Sequence, residues 1–123
     1  MQKKWAQFHA ELVQQQQAAV AKAEALRAEN RGDESVFERI RANVYGIFAS
    51  VLEAADKQYG ADETAMRQFC LRKLEEIPAE WEAAAQKADV HHDEHAAFIE
   101  RLKLRAAGEI RQKALAVSEE RSE

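Results

Sequence analysis

Large apolar residues recur at three- and four-residue spacing along most of the chain, which is the period of a helix that buries one face. The pattern is strongest in the second quarter of the sequence, where it comprises Val36, Phe37, Ile40, Val44, Ile47, Phe48, Val51, Leu52, Ala55 and Tyr59. So wide an apolar face is typical of a central helix with neighbours on several sides. We therefore predict that this segment lies in the middle of the fold.

The other apolar stripes are narrower. One contains Met66, Phe69, Cys70, Leu74 and Ile77, and another contains Phe98, Ile99, Leu102, Ala106, Ile110 and Val117. The first segment starts with Trp5, Phe8, Leu12 and Val13, and then turns into glutamines and alanines with only Val20 and Leu26 as large apolar residues. A helix with so few large apolar groups buries little surface by itself.

The first break in the pattern lies around Gly32. A glycine can take the left-handed conformation that ends a helix, so Gly32 is predicted to terminate the first one. Ser35 is followed three residues later by Glu38, which matches the capping box that begins a helix. Asp33 or Ser35 is therefore predicted to cap the second helix.

Two further breaks follow. Gly60 is predicted to stop the second helix, and Asp62 to cap the third. Asp89 is a candidate cap for the fourth. The predicted helices cover residues 2–30, 34–59, 62–88 and 90–118.

Four helices of similar length joined by short loops favour an all-α fold, an antiparallel up-down four-helix bundle. Pro78 lies inside the third helix, where its ring removes a backbone hydrogen bond, so a break or a sharp kink is expected there and four to five helices are predicted. Residues 1–123 are predicted to form a single helical-bundle domain.

The composition supports this fold class and narrows the partners. Alanine, glutamate, glutamine, lysine and arginine dominate, and these are the strongest helix formers. The formal net charge is −4, so the basic excess of a nucleic-acid-binding protein is missing. No apolar run approaches the length of a membrane span and no signal peptide is recognisable. We expect a cytoplasmic protein that binds neither nucleic acid nor membrane.

A second pattern on the central helix concerns small residues. Ala42, Gly46, Ser50 and Ala54 follow one another at strict four-residue spacing. Glycine in a helix interior costs about 0.5–1 kcal/mol relative to alanine, and a close approach of another backbone would compensate for that cost. Ala42, Gly46 and Ser50 are therefore candidate interaction residues. The proposed facing surface is Ala18, Ala21, Ala25 and Ala28, either inside the chain or on a second copy in a homodimer.

The densest group of chemically versatile side chains is His91-His92-Asp93-Glu94-His95. On one helix, His91 and His95 would project from the same face, and that spacing can chelate a transition metal. A closed site needs further ligands that the surrounding sequence does not supply. A solvated helix start with acidic residues in its first turn is the simpler interpretation.

No motif for catalysis or cofactor binding is recognisable. The single cysteine, Cys70, lies within an apolar stripe and is predicted to be a small buried hydrophobe. The four glycines are isolated, so no phosphate-binding loop is present. We predict a non-enzymatic protein-interaction or scaffold module without a cofactor, whose expected partner is a protein, a second copy in a homodimer. The alternative is a metal- or small-ligand-responsive domain that uses His91, His92 and His95.

Overall fold

A computed structural model describes residues 1–120 and consists of four long helices. They are α1 (Lys3–Ala28), α2 (Gly32–Tyr59), α3 (Glu63–Val90) and α4 (Glu94–Glu119). The predicted all-α four-helix bundle is confirmed, and the helix limits lie within a few residues of those expected. The predicted domain end at residue 123 falls outside the described residues.

The turn between α1 and α2 differs from its prediction. Asn30, with φ of 62°, takes the left-handed conformation that was expected of Gly32. Gly32 instead opens α2. Asparagine tolerates this conformation because its short polar side chain can hydrogen-bond locally.

The predicted capping box is wrong for a related reason. Because α2 begins three residues before Ser35, that residue lies inside the first turn, where its buried hydroxyl donates to the Ala23 carbonyl at 2.9 Å. Glu38 is also buried and lies 3.4 Å from the Lys22 ammonium group. Both side chains therefore fasten α2 to α1 rather than cap a helix.

The remaining helix starts use aspartates. The Asp62 carboxylate accepts from the Ala65 amide at 3.1 Å, which confirms the predicted cap of α3. For α4 the cap is Asp93 rather than Asp89, and its carboxylate accepts from the Ala96 amide at 3.0 Å. Asp89 lies in the last turn of α3 and forms an ion pair with Arg101.

Consecutive helices run antiparallel, and α2 lies in the middle, in contact with the other three. The start of α1 meets the end of α2, where the Met1 amino group lies 2.7 Å from an Asp56 carboxylate oxygen. Helices α2 and α4 run parallel, because Phe37 lies beside Arg105 and Arg41 beside Glu109, four residues further along each helix. This arrangement confirms the predicted central position of α2.

Helices α1 and α3 lie on opposite sides of α2, and their described backbones do not approach each other. At one end of the bundle their side chains bridge the gap, since the Lys4 ammonium lies 3.0 Å from a Glu63 carboxylate oxygen. The hydrogen bond from the Lys4 ammonium lowers the pKa of the Glu63 carboxyl group. Over most of its length, the α2 surface between α1 and α3 is left open.

All four helices meet in one half of the bundle, where the main core lies. Its buried members are Trp5, Phe8, Leu12, Val44, Tyr45, Phe48, Ala49, Leu52, Ala55, Met66, Cys70, Leu74, Ala106, Ala107, Ile110 and Ala114. In the other half, small residues bring the helices close in pairs, with Ala19 and Ala23 buried on α1, and Ala85 and Ala88 on α3. The bundle thus has one well-filled end and one end made of two helical hairpins.

The predicted break at Pro78 is wrong, because α3 continues through it from Glu63 to Val90. Leu74 is buried on one side of the proline, and Trp81 packs against the core on the other. Apolar burial on both flanks offsets the missing hydrogen bond. Helix α3 therefore stays a single helix.

Phe98 belongs to the apolar stripe expected in the core, yet 58 % of it is exposed. The parallel register of α2 and α4 places Gly32, the start of α2, level with Glu100. Phe98 precedes that level, so α2 does not extend far enough to cover it. None of the helices in residues 1–120 has the length and apolarity needed to span a membrane.

Candidate functional site

The open surface of α2 carries a regular pattern of its own, which we call the α2 seam. Its members are spaced alternately by four and three positions: Val36, Ile40, Asn43, Ile47, Ser50 and Ala54. Val36 is 39 % exposed and Ile47 38 % exposed. Alternation of four and three is the spacing of a coiled-coil contact seam, which meets a second helix along its length. In the described chain no helix covers it.

Hollows flank the α2 seam on both sides. A cavity of about 330 Å³ lies between α1 and α2, bordered by Val20, Ser35 and Asn43 among others. A second cavity of about 240 Å³ lies toward α3 and α4, bordered by Asn43, Ile47 and Trp81. Asn43 lines both cavities, so it stands on the ridge between them.

The rim of the first cavity is positively charged. Arg27 of α1 and Arg39 of α2 border it, with Glu24 as the acidic neighbour. Both arginines are exposed, and within residues 1–120 neither forms an ion pair with a carboxylate. An acidic group on a bound partner could therefore pair with them.

The predicted interaction residues are divided between two environments. Ala42 is buried, and a Cβ atom added to Gly46 would lie 2.6 Å from the Gln16 side-chain nitrogen. Both residues thus face α1 of the same chain. Ser50 is exposed and belongs to the α2 seam.

Within the chain, the alanines of α1 proposed to face this ridge do not do so. Ala18, Ala21, Ala25 and Ala28 are all exposed. Ala19 and Ala23 are buried instead, together with Leu26. Helix α1 does approach α2 closely inside the chain. It does so with a different face, because an alanine-rich helix has several equally small faces.

The histidine cluster does not lie on one helix. His91 caps the C-terminus of α3, His92 has φ of 56° in the turn, and His95 lies in the first turn of α4. The four-residue helical geometry that suggested chelation by His91 and His95 is therefore absent. Within residues 1–120 no three histidine, cysteine, aspartate or glutamate side chains lie together in a way that could hold a metal ion. Metal binding at this turn stays a prediction without structural support.

Cys70 is buried in the main core, as expected from its apolar stripe. Burial raises the pKa of its thiol from the ordinary 9.0 to about 12. The folded state thus keeps a proton that the unfolded chain releases at a lower pH. The stability that the protein owes to the protonated thiol is fully present below pH 9. It is lost as the pH rises toward 12, so the free energy of unfolding falls over that range. A thiol that stays protonated is a poor nucleophile.

We expect Cys70 to resist alkylation at pH 8 in the folded protein and to react within minutes in concentrated urea. The physical reason is that alkylation requires an exposed thiolate. Mass spectrometry of samples quenched over time measures the rate. The matched control is a Gln112→Cys, Cys70→Ala variant, whose exposed thiol on α4 should react rapidly without urea. Equal native rates for the two proteins would contradict the burial of Cys70.

A polar contact between α2 and α4 was not foreseen from the sequence. The Tyr45 hydroxyl donates to a Glu109 carboxylate oxygen at 3.2 Å and accepts from Arg41 at 3.3 Å. Burial raises the pKa of Tyr45, so its hydroxyl stays protonated as the donor. Because Glu109 is distant in sequence, only the register of α2 against α4 reveals this pairing, which holds the two helices together.

No protein-family model, curated protein or solved structure significantly matches this chain. Its function must therefore be inferred from its own geometry.

Proposed function

We propose that this chain is a non-enzymatic protein-interaction module that presents the α2 seam to a helix of its partner. The observation that carries the proposal is the regular spacing of a surface on which Val36 and Ile47 are exposed and Ile40 is half-buried. A partner helix that buried these side chains would gain about 25 cal/mol for each Å² of apolar surface removed from water. The two flanking hollows would receive the partner's side chains.

The composition of the seam supports a protein partner. Charged residues make up 33 % of the chain, yet the seam itself has none. Depletion of charge at the centre of a surface, with charges at the rim, is typical of protein interfaces. The net charge of −4 disfavours nucleic acid and anionic membranes as partners. The lone thiol fits the reducing cytoplasm, where we place the protein.

Site-specific photo-cross-linking in cells tests this proposal. A benzophenone amino acid at Ile47 should give discrete cross-linked adducts, because a partner helix covers that position. The matched control carries the same amino acid at Gln112, an exposed position on α4. Circular dichroism checks that both variants remain helical. If Ile47 gives no adduct, or the same adducts as Gln112, the α2 seam is not a protein-binding surface.

A further inference from the structure

We propose that the helix covering the α2 seam is α2 of a second copy, running antiparallel about a two-fold axis beside Asn43. This inference rests on the proposed function and identifies its partner. The centre of the seam is symmetric, since Ile40 and Ile47 lie on either side of Asn43. An axis through their midpoint sets Ile40 against the partner's Ile47, and Ile47 against the partner's Ile40. The contact is therefore self-complementary, as a two-fold interface requires.

Asn43 suits a position next to such an axis. Its amide has both donors and an acceptor, so two copies of the same side chain can hydrogen-bond to each other. A buried asparagine in a coiled-coil seam fixes the register of the two helices at some cost in stability. Asn43 is exposed in one chain and flanked by two cavities, so space is available for the pairing.

The charges at the rim are also complementary under this symmetry. The contact of Ser35 with Ala23 sets the last turns of α1 beside the first turn of α2, so Arg27 lies level with that turn. The two-fold axis places this turn, and Arg27 with it, beside the partner's α2 near the partner's Glu53. The Glu53 carboxylate is 62 % exposed and accepts a hydrogen bond from His9 at 3.0 Å. Each dimer thus gains two pairs between Arg27 and Glu53.

The mass of the full chain in solution is the first test. Sedimentation equilibrium at several concentrations should show a monomer–dimer equilibrium. Ile47→Glu should weaken the dimer at least about 100-fold, because it places a carboxylate in the apolar seam. The matched control is Val90→Glu, which alters a residue that is 74 % exposed and lies outside the seam. This control should leave the dimer unchanged. A wild-type chain that stays monomeric at every concentration would overturn the proposal.

A charge exchange tests the orientation of the two copies. Arg27→Glu and Glu53→Arg should each weaken the dimer about 10-fold, since each sets like charges opposite one another. The combined variant should recover wild-type affinity to within about threefold, because the pair is restored with its signs reversed. If the combined variant is weaker than both single variants, the antiparallel register is wrong.

Disulfide trapping tests the position of the axis. In a Cys70→Ala background, Asn43→Cys should oxidise to a covalent dimer, because the two introduced thiols lie side by side. Val36→Cys is the matched control in the same seam. Its two copies would be about 22 Å apart at 1.5 Å per residue, far beyond the reach of a disulfide. Equal trapping of the two variants would overturn the proposed axis.

The outcomes also separate this inference from the proposed function. A monomeric chain whose Ile47 cross-links to a different protein would exclude the symmetric dimer and leave the interaction role intact. Absence of any adduct at Ile47 would exclude both.

Discussion

Replacing Trp5 with alanine is expected to lower the free energy of unfolding by about 3–5 kcal/mol. Although Trp5 is only the fifth residue, its side chain is fully buried in the main core. Its ring meets that of Phe8 edge to face, with the ring centroids 6.2 Å apart. Truncation would leave a large cavity where all four helices meet. Urea denaturation followed by circular dichroism measures the effect.

Phe98→Ala is the control for this experiment. Phe98 belongs to an equally convincing apolar stripe in the sequence, but the structure leaves it largely exposed. Its replacement should cost less than about 1 kcal/mol, since little surface returns to water. Comparable losses for Trp5→Ala and Phe98→Ala would show that the helices are not arranged as described.

Pro78→Ala is expected to raise the free energy of unfolding by about 1–3 kcal/mol. Helix α3 passes through this position without interruption, so proline leaves the Leu74 carbonyl without its amide donor. Alanine restores that donor and is the best helix former. The midpoint of urea denaturation should increase accordingly.

Glu80→Ala provides the matched control, because Glu80 is exposed in the same helix. It should change stability by less than about 0.5 kcal/mol. A loss of stability in Pro78→Ala would mean that the packing of Trp81 and its neighbours depends on the backbone geometry that proline imposes.

The two tryptophans, Trp5 and Trp81, have different roles in the bundle. Trp5 closes the end of the bundle in which all four helices meet, so it maintains the scaffold. Trp81 packs against the core. Together with Ile47 it lines one hollow beside the α2 seam. Its ring contacts Phe48 edge to face, with centroids 6.4 Å apart. Packed aromatic rings thus connect α2 to α3 beside the open seam.

Part of the candidate site could be found in the sequence. Ser50 is a candidate interaction residue in the sequence, and it lies in the α2 seam. Ala42 and Gly46 were assigned to the same surface, yet they face α1. Four-residue spacing drifts slowly around a helix, so the ridge passes from a covered face to an open one. Spacing alone does not show where this change occurs.

The four helices, their approximate limits and the central place of α2 can be read from the order of the amino acids alone. Helical periodicity and the width of an apolar stripe are local properties, so they can be read without knowing any neighbour. The face that each helix buries, and the distance by which its ends project, follow only from the packing of the helices on one another. This packing placed Phe98 beyond the start of α2, paired Tyr45 with Glu109, and left the α2 seam open between α1 and α3. Those features depend on the register between helices, which is set by the packing of the whole core.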